Sequence, residues 1–141
     1  MERCRHRRLD ARQADILSLP FPDECFDGVI TLDVLEHLPD DVSALAELRR
    51  VLKVGGLLLL NVPAFPCLWS RHDLANGHQR RYRRRELRAK LQGAGYTVEQ
   101  SFYWNWVAFV PVLILRKLRM AGKTASDDLQ PAPPLANRLL A

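Results

Sequence analysis

The sequence predicts an α/β domain with a parallel sheet, and three observations indicate this class. The segment FDGVITL, at Phe26–Leu32, is rich in β-branched and apolar residues, as strands are. A helix-start signal, Pro39 followed by two aspartates, comes next, and the continuous apolar run LLLLNV at residues 57–62 lies beyond it. A strand, a helix and a second strand in this order are typical of a β-α-β unit, whose two strands run parallel.

Length and composition indicate one globular domain: the chain has 141 residues, of which 48% are hydrophobic and 26% charged. The longest apolar run, residues 107–115, is shorter than the ~20 residues that a membrane-spanning helix needs. Five arginines within the first dozen residues exclude a secretory signal there. The three cysteines match no zinc or disulfide spacing, so we expect a reducing, cytoplasmic location.

The elements before and within the β-α-β unit follow from local patterns. Residues 9–16 are predicted to form a short strand that ends near Asp15, and prolines and acidic residues at 20–24 predict a loop. Apolar residues at helical spacing predict a helix over 42–53, which Gly55-Gly56 would end. The run at 57–62 is predicted to be a strand buried on both faces, as in a sheet covered by helices.

The second half of the chain is predicted to contain fewer regular elements. A long loop over 63–83 precedes a short helix over 84–92, and 96–102 is predicted to be the last strand. Residues 121–134 are small, polar and proline-rich, which indicates a loose segment. We therefore divide the chain into a domain over 1–118 and a tail over 119–141 that ends in the start of a helix.

Opposite charges are segregated along the sequence. Ten acidic residues and a single arginine lie between Asp10 and Glu47, whereas residues 71–90 hold eight basic residues against two acidic ones. This pattern predicts distinct surfaces and argues against an evenly basic nucleic-acid binder, so no nucleic-acid partner is expected.

Polar residues follow the predicted strands where open parallel sheets bind ligands, at the carboxyl ends of the strands. Asp15 and Ile16 follow the first predicted strand, Asp33 follows the second, and a long polar loop begins after Asn61. Their convergence predicts a site for a small molecule.

The order of these pieces resembles a known family. ADILSLPFPDECFDGVITLDVLEHLPD, followed by ALAELRRVLKVGGLLLLNVPA, resembles class I S-adenosylmethionine-dependent methyltransferases of the "type 11" kind, and is similar to ubiquinone-biosynthesis O-methyltransferases. LWSRHD, GHQRRY and AGYTVEQSFYWN resemble a subgroup with a histidine- and arginine-rich loop after the fifth strand. Over residues 3–118, the resemblance implies a Rossmann-like sheet, S-adenosyl-L-methionine as cofactor, and methyl transfer to a small-molecule acceptor, for which an acidic or lipid-like compound would suit.

The resemblance also implies cofactor-binding residues. The Asp15 carboxylate would accept a hydrogen bond from the adenine amino group, and the Ile16 amide would contact the ring. Leu32 and Asp33 would line the pocket where cofactor and acceptor meet. The alternative interpretations are a turn capped by Asp15 before Leu17, and an ordinary strand end at Leu32 and Asp33.

Asp33, Glu36 and His37 match a spacing that the resemblance connects with a divalent metal in the ubiquinone enzymes. Asp33 is one methylene shorter than the usual residue there, and the rest of that pattern is not matched. Carboxylates and a histidine can hold Mg²⁺ or Zn²⁺, but a helix-entry acid beside a half-buried histidine is the commoner arrangement. We therefore predict no metal ligand.

The loop over 69–82 carries the predicted catalytic residues, His72 and His78. Imidazole titrates near neutral pH and suits a general base, and His72 lies beside Asp73, which could orient it. Arg80 and Arg81 could hold an acidic acceptor. The alternative is a solvated basic loop, and with it a different function: a non-enzymatic module that binds nucleic acid or an anionic surface through residues 71–90, with residues 102–118 contacting a membrane surface.

Three parts of the family pattern have no counterpart in the sequence. No GxGxG-like run is present to cradle the methionine part of the cofactor, and no acidic residue ends a second strand to bind the ribose. The closing antiparallel strand also has no candidate. The sheet is therefore expected to be incomplete, with its first two strands and its closing strand missing and the domain truncated at both ends, so that activity of this chain alone is in doubt.

Overall fold

The computed structural model describes residues 12–103 and Val110. Two strands and three α-helices form in the order β1 (Phe26–Leu32), α1 (Asp41–Val51), β2 (Leu52–Asn61), α2 (Arg71–Ala75) and α3 (Arg84–Gly93). Short 3-10 helices occupy Leu35–His37 and Pro66–Leu68. None of the described helices is long and apolar enough to cross a membrane.

The predicted β-α-β unit is confirmed. β1 pairs in parallel with β2, so that Ile30 lies opposite Leu59 and Leu32 lies opposite Asn61. Helix α1 connects them, and its N-terminus is capped by Asp40, whose carboxylate accepts a 2.9 Å hydrogen bond from the Ser43 amide. The α/β class with a parallel sheet is therefore correct.

Helix α1 ends two residues before the predicted boundary, and the role predicted for Gly55-Gly56 is wrong. The amides of Glu24 and Cys25 donate to the carbonyls of Arg50 and Val51, which satisfies the helix end. The glycines lie inside β2 instead, at an irregularity in the β1–β2 register. Gly55 has a φ of +76°, and a Cβ at Gly56 would lie 2.9 Å from the Leu52 Cγ atom, so both positions require glycine.

The core lies between one face of the sheet, α1 and the chain after β2. Leu35, Ala44, Leu45 and Tyr82 form its fully buried centre, and Leu58 and Leu60 pack against it. The opposite face is bare: four apolar residues are more than half exposed, namely Ile30 (68%), Leu32 (56%), Leu57 (65%) and Leu59 (58%). Burial of residues 57–62 on both faces was therefore a wrong prediction, because the described residues cover one face alone.

Two predicted strands do not form within the described residues. Of 9–16, the described part ends in a turn in which Asp15 and Ser18 make an isolated bridge. Residues 96–102 have no regular structure, and an open groove of about 1530 Å³ lies between them and β2. Without a neighbouring strand, their backbone has no ladder to join. The predicted helix over 84–92 is confirmed as α3, and the predicted tail, 119–141, lies outside the described residues.

Candidate active site

The carboxyl ends of β1 and β2 are joined through Asp33 and Asn61. The Asp33 amide donates to the Asn61 carbonyl at 3.1 Å, and the Asn61 Nδ2 atom donates to Asp33 Oδ1 at 2.9 Å. Asp33 has a φ of +52°, a left-handed conformation that Asp tolerates better than most residues. Leu32 is exposed on the bare face immediately before it. The polar edge predicted for β1 is thus formed, with the Asp33 carboxylate bound to Asn61.

The Asp15 segment is a turn, as the alternative interpretation held. Asp15 Oδ1 accepts a 2.9 Å hydrogen bond from the Leu17 amide. Ile16 packs against the core cluster that contains Leu35, which follows Asp33 by two residues. The role of Asp15 and Ile16 in binding adenine stays a prediction.

The loop that follows this turn is held by an ion-pair network on α1. Glu47 accepts a 2.7 Å hydrogen bond from the Leu19 amide and pairs with Arg50 at 2.7 Å. Arg50 reaches the Leu19 and Phe21 carbonyls and the Asp23 carboxylate. The Arg50 guanidinium and the Leu19 amide lower the pKa of Glu47 to about 2. This network fixes where the chain returns from the turn at Asp15.

Glu36 is an unusual side chain, and our sequence prediction gave it no functional role. It lies in the 3-10 helix Leu35–His37, is fully buried, and neither of its carboxylate oxygens has a hydrogen-bond partner. Burial raises its pKa, and the nearby Asp33 charge adds to the rise. Buried carboxylates are normally paired, so this one calls for a partner that the polypeptide does not supply.

His78 is oriented by a buried carboxylate. Its Nδ1 atom lies 3.1 Å from Asp73 Oδ1, and Asp73 also accepts hydrogen bonds from the Arg81 Nε atom at 2.7 Å and the Ser70 amide at 2.8 Å. Burial opposes ionisation of Asp73, but the bonds from Arg81 and Ser70 prevail and hold its pKa below the usual value. The charged carboxylate favours a proton on Nδ1, which leaves the lone pair on Nε2.

Two hydrogen bonds hold His78 beside Glu36 although the residues are distant in sequence. The Gln79 amide donates to the Glu36 carbonyl at 2.7 Å, and the Gln79 side chain donates to the His37 carbonyl at 3.0 Å. The rings of His37 and His78 meet edge to face with centroids 4.8 Å apart. The end of β1 and the histidine loop are therefore one site.

His72 is placed differently from its prediction. Its Nε2 atom pairs with the Asn76 side chain at 2.9 Å, whereas the carboxylate of the adjacent Asp73 contacts the ring of His78. Asp73 thus orients the second histidine of the loop and not the first, since it lies at the start of α2 with its side chain turned back to Ser70.

Arg80 and Arg81 are used inside the protein, which contradicts the prediction that they hold an acidic acceptor. Arg80 pairs with Asp41 at 3.2 Å and donates to the Pro39 carbonyl. Arg81 binds Asp73 and the Ala64 carbonyl, and its side chain is 9% exposed. Each guanidinium group is thus bound by a buried aspartate, Asp41 or Asp73. The sequence did not indicate these pairs because the partners are separated along the chain.

Comparison with known proteins agrees with this geometry. A methyltransferase domain family model matches residues 1–60. A probable S-adenosylmethionine-dependent methyltransferase from Mycolicibacterium smegmatis is 35% identical over 101 residues, which cover 70% of this chain and 39% of that protein. The chain thus spans about two fifths of the length of this curated relative.

Solved structures share the fold. A putative methyltransferase from Bacillus halodurans superposes with a TM-score of 0.58 at 24% identity, over 94% of this chain and 67% of that one. The [4+2]-cyclase SpnF superposes with a TM-score of 0.55 at 26% identity, over 70% of this chain and 37% of that one. Over its first 60 residues the chain thus matches a methyltransferase domain family, its curated relatives include probable S-adenosylmethionine-dependent methyltransferases, and its parallel β-α-β unit is shared with solved structures of that fold.

Proposed function

We propose that the domain containing this chain transfers a methyl group from S-adenosylmethionine to a small-molecule acceptor bound beyond the carboxyl ends of β1 and β2. The cofactor is inferred from the similar proteins, which include a probable S-adenosylmethionine-dependent methyltransferase. One fold neighbour is named as a cyclase, so the fold alone does not specify methyl transfer. The proposal therefore rests on the residues of the site.

The observation that carries it is His78, which Asp73 orients and which the Gln79 hydrogen bond to Glu36 holds beside the residues that follow β1. A histidine with its Nδ1 atom held by a carboxylate presents the Nε2 lone pair in a fixed direction. In-line methyl transfer requires an acceptor atom with an available electron pair placed opposite the sulfonium, so positioning supplies much of the rate. We assign His78 to the acceptor and Asp15, Ile16, Leu32 and Asp33 to the cofactor side. His72, paired with Asn76 on the same loop, is proposed as a second acceptor contact.

The alternative, a module that binds an anionic surface through residues 71–90, is less well supported. Arg80, Arg81 and Lys90 of this stretch are already paired with buried Asp41 or Asp73. Arg83, Arg84, Arg85 and Arg88 are exposed and leave a smaller basic surface on α3. Of the segment predicted to contact membranes, residues 104–109 and 111–118 lie outside the described residues.

The test uses a restored fusion, in which the family's glycine-rich first strand and acidic second strand precede these 141 residues. Formation of S-adenosylhomocysteine is measured with a panel of phenols, carboxylic acids and hydroxylated lipids. We expect turnover with one class, and we expect His78→Ala to lower it while cofactor affinity by calorimetry stays near normal. If His78→Ala abolishes cofactor binding in a folded protein, or no acceptor class reacts, the proposal is wrong.

A further inference from the structure

We propose that Glu36, His37 and His78 form a binding site for a divalent transition-metal ion. The sequence alone led us to predict no metal ligand, and the structure changes that expectation by bringing His78 to the other two residues. One donor atom from each of the three lies within 4.8 Å of the others. Among the described residues, no other group of three histidine, cysteine or acidic side chains brings its donor atoms this close together.

Glu36 provides the independent observation that a ligand belongs here. A fully buried carboxylate with neither oxygen hydrogen-bonded costs free energy unless it is protonated or meets a cation. Among residues 12–103, no lysine or arginine pairs with it: Arg80 and Arg81, which lie on the loop of His78, bind Asp41 and Asp73 instead. A metal ion between Glu36 and the two imidazoles would satisfy both carboxylate oxygens of Glu36, either directly or with one of them reached through a bound water.

His78 is arranged as metal-binding histidines usually are. Such a histidine typically donates its other ring N–H to a carboxylate, which fixes the tautomer and the ring orientation. Asp73 Oδ1, 3.1 Å from Nδ1, has this relationship to His78. Asp73 is itself fully buried and held by Arg81 and Ser70, so the ring direction is set by a rigid support.

The ligand set indicates the class of metal. Two imidazoles and one carboxylate suit Zn²⁺, Fe²⁺ or Mn²⁺, whereas Mg²⁺ and Ca²⁺ prefer oxygen ligands alone. Bonds of ~2.0–2.1 Å require the three donor atoms to draw closer than they are, which rotation of the exposed His37 side chain can provide. Asp33 is not part of the set, because its carboxylate is exposed and accepts from Asn61.

Three protein ligands would leave open positions on the ion. This part of the inference rests on the proposed function, and it assigns those positions to the acceptor. An acceptor hydroxyl bound there would lose its proton to solvent, because the cation stabilises the oxyanion. The oxygen would then form the new C–O bond as the S–CH₃ bond of the sulfonium breaks, with its electron pair staying on sulfur. His78 acts on the acceptor through the ion in this scheme, and the favoured acceptor class is an oxygen acid such as a phenol.

The experiment measures metal binding directly in the 141-residue chain, after chelation and removal of the chelator, with Zn²⁺ by calorimetry and Co²⁺ by visible absorption. Glu36→Gln and His78→Ala test the ligands, and His72→Ala is the control because it removes a histidine of the same loop outside the cluster. Folding of each variant is checked by far-UV circular dichroism. We expect one ion per chain in the parent and in His72→Ala, and a loss of at least ~100-fold in affinity in the two ligand variants. Asp73→Asn should lose about 10–100-fold.

Equal affinity in the parent and in folded Glu36→Gln would overturn the proposal, as would a folded parent that binds no ion. If the 141-residue chain does not stay in solution, the restored fusion replaces it in the same titrations. The two proposals fail separately. Metal binding without any methyl transfer would remove the proposed function and leave the metal site, whereas methyl transfer by a fusion that binds no ion in the titrations would remove the metal site and leave the proposed function.

Discussion

The Nδ1 atom of His78 lies 3.1 Å from Oδ1 of Asp73, and this contact connects the start of helix α2 with the loop that follows it. Asp73 is the N3 residue of α2, so its side chain turns back to the Ser70 amide and hydroxyl. The same carboxylate binds Arg81. One buried charge therefore sets the position of a helix start, an arginine and a histidine.

Removing that charge should destabilise the fold. Asp73→Asn keeps the shape of the side chain but leaves the nearly buried Arg81 guanidinium without its counter-ion, and we expect a loss of about 3 kcal/mol in the free energy of unfolding. Urea denaturation measures it. Asp23→Asn is the matched control, because the Asp23–Arg50 pair is 75% exposed on the aspartate side and should cost less than about 1 kcal/mol. Similar losses in both variants would show that Asp73 is not the anchor described here.

The Glu47 network predicts a defined pH dependence. Because the pKa of Glu47 is lowered to about 2 in the folded protein, its contribution to stability is complete above the unfolded value near 4.5. That contribution is lost as the pH falls from 4.5 towards 2, when the folded carboxylate takes up a proton. Glu47→Gln should therefore be less stable than the parent at pH 7, with the gap closing at pH 2–3. Thermal denaturation across pH values checks this, and a gap independent of pH would contradict it.

Asp15 is expected to contribute one hydrogen bond to the cofactor. In the restored fusion, Asp15→Ala should weaken S-adenosylmethionine binding by about 1–2 kcal/mol, or roughly 5–30-fold. Calorimetry measures the affinity. Because the Asp15 carboxylate also accepts from the Leu17 amide, Asp15→Asn, which retains an acceptor oxygen for that turn, separates the two roles. Unchanged affinity in Asp15→Ala would remove this residue from the cofactor site.

The 141-residue chain by itself is expected to bind S-adenosylmethionine poorly. Its sequence supplies neither a glycine-rich cradle nor a ribose-binding carboxylate, and the loss of several hydrogen bonds at ~1.5–3 kcal/mol each would abolish micromolar binding. Calorimetric titration of the monomeric chain is the measurement, with the restored fusion as comparison. A soluble monomeric chain that binds the cofactor at micromolar affinity would contradict this expectation.

The bare face of the sheet should drive self-association. Leu59 is 58% exposed beside three other exposed apolar residues of the sheet, so Leu59→Lys should favour the monomer in sedimentation analysis with little loss of stability. Its neighbour Leu58 points to the core cluster, and Leu58→Lys should instead unfold the domain. If Leu59→Lys leaves the degree of association unchanged, another surface is responsible.

Local signals in the sequence were sufficient for the β-α-β unit. A β-branched run, an acidic helix start and a continuous apolar run each depend on a few neighbouring residues. All three elements formed, although β2 begins at Leu52, five residues before the predicted run. The end of α1 was misplaced because Glu24 and Cys25, which lie before β1, cap it from outside the helix. The glycine pair was interpreted as a helix stop because its structural neighbour is also distant in sequence: Gly56 lies against the Asp27 carbonyl across the sheet.

The site was harder to predict than the fold. His78 was found from its loop, but its position beside Glu36 brings together residues 42 positions apart and depends on two hydrogen bonds from Gln79. No pattern in the sequence predicts such a contact. Asp73 was paired with the wrong histidine because adjacency suggested His72, whereas the helical turn at Ser70 directs the carboxylate elsewhere.

The long connection after β2 is a closed loop and not a free arm. The Tyr82 amide donates to the Pro63 carbonyl at 2.9 Å, and the Phe65 amide donates to the Tyr82 carbonyl at 3.1 Å, so the two ends are pinned together at a buried tyrosine. Its tip, at Asn76 and Gly77, is exposed. Residues inserted at the tip would lengthen the loop without moving its base, at a cost of well under 1 kcal/mol for a few residues. The loop can thus vary in length and sequence, and with it, under the proposed function, the acceptor that binds, without altering the strand ends from which it starts.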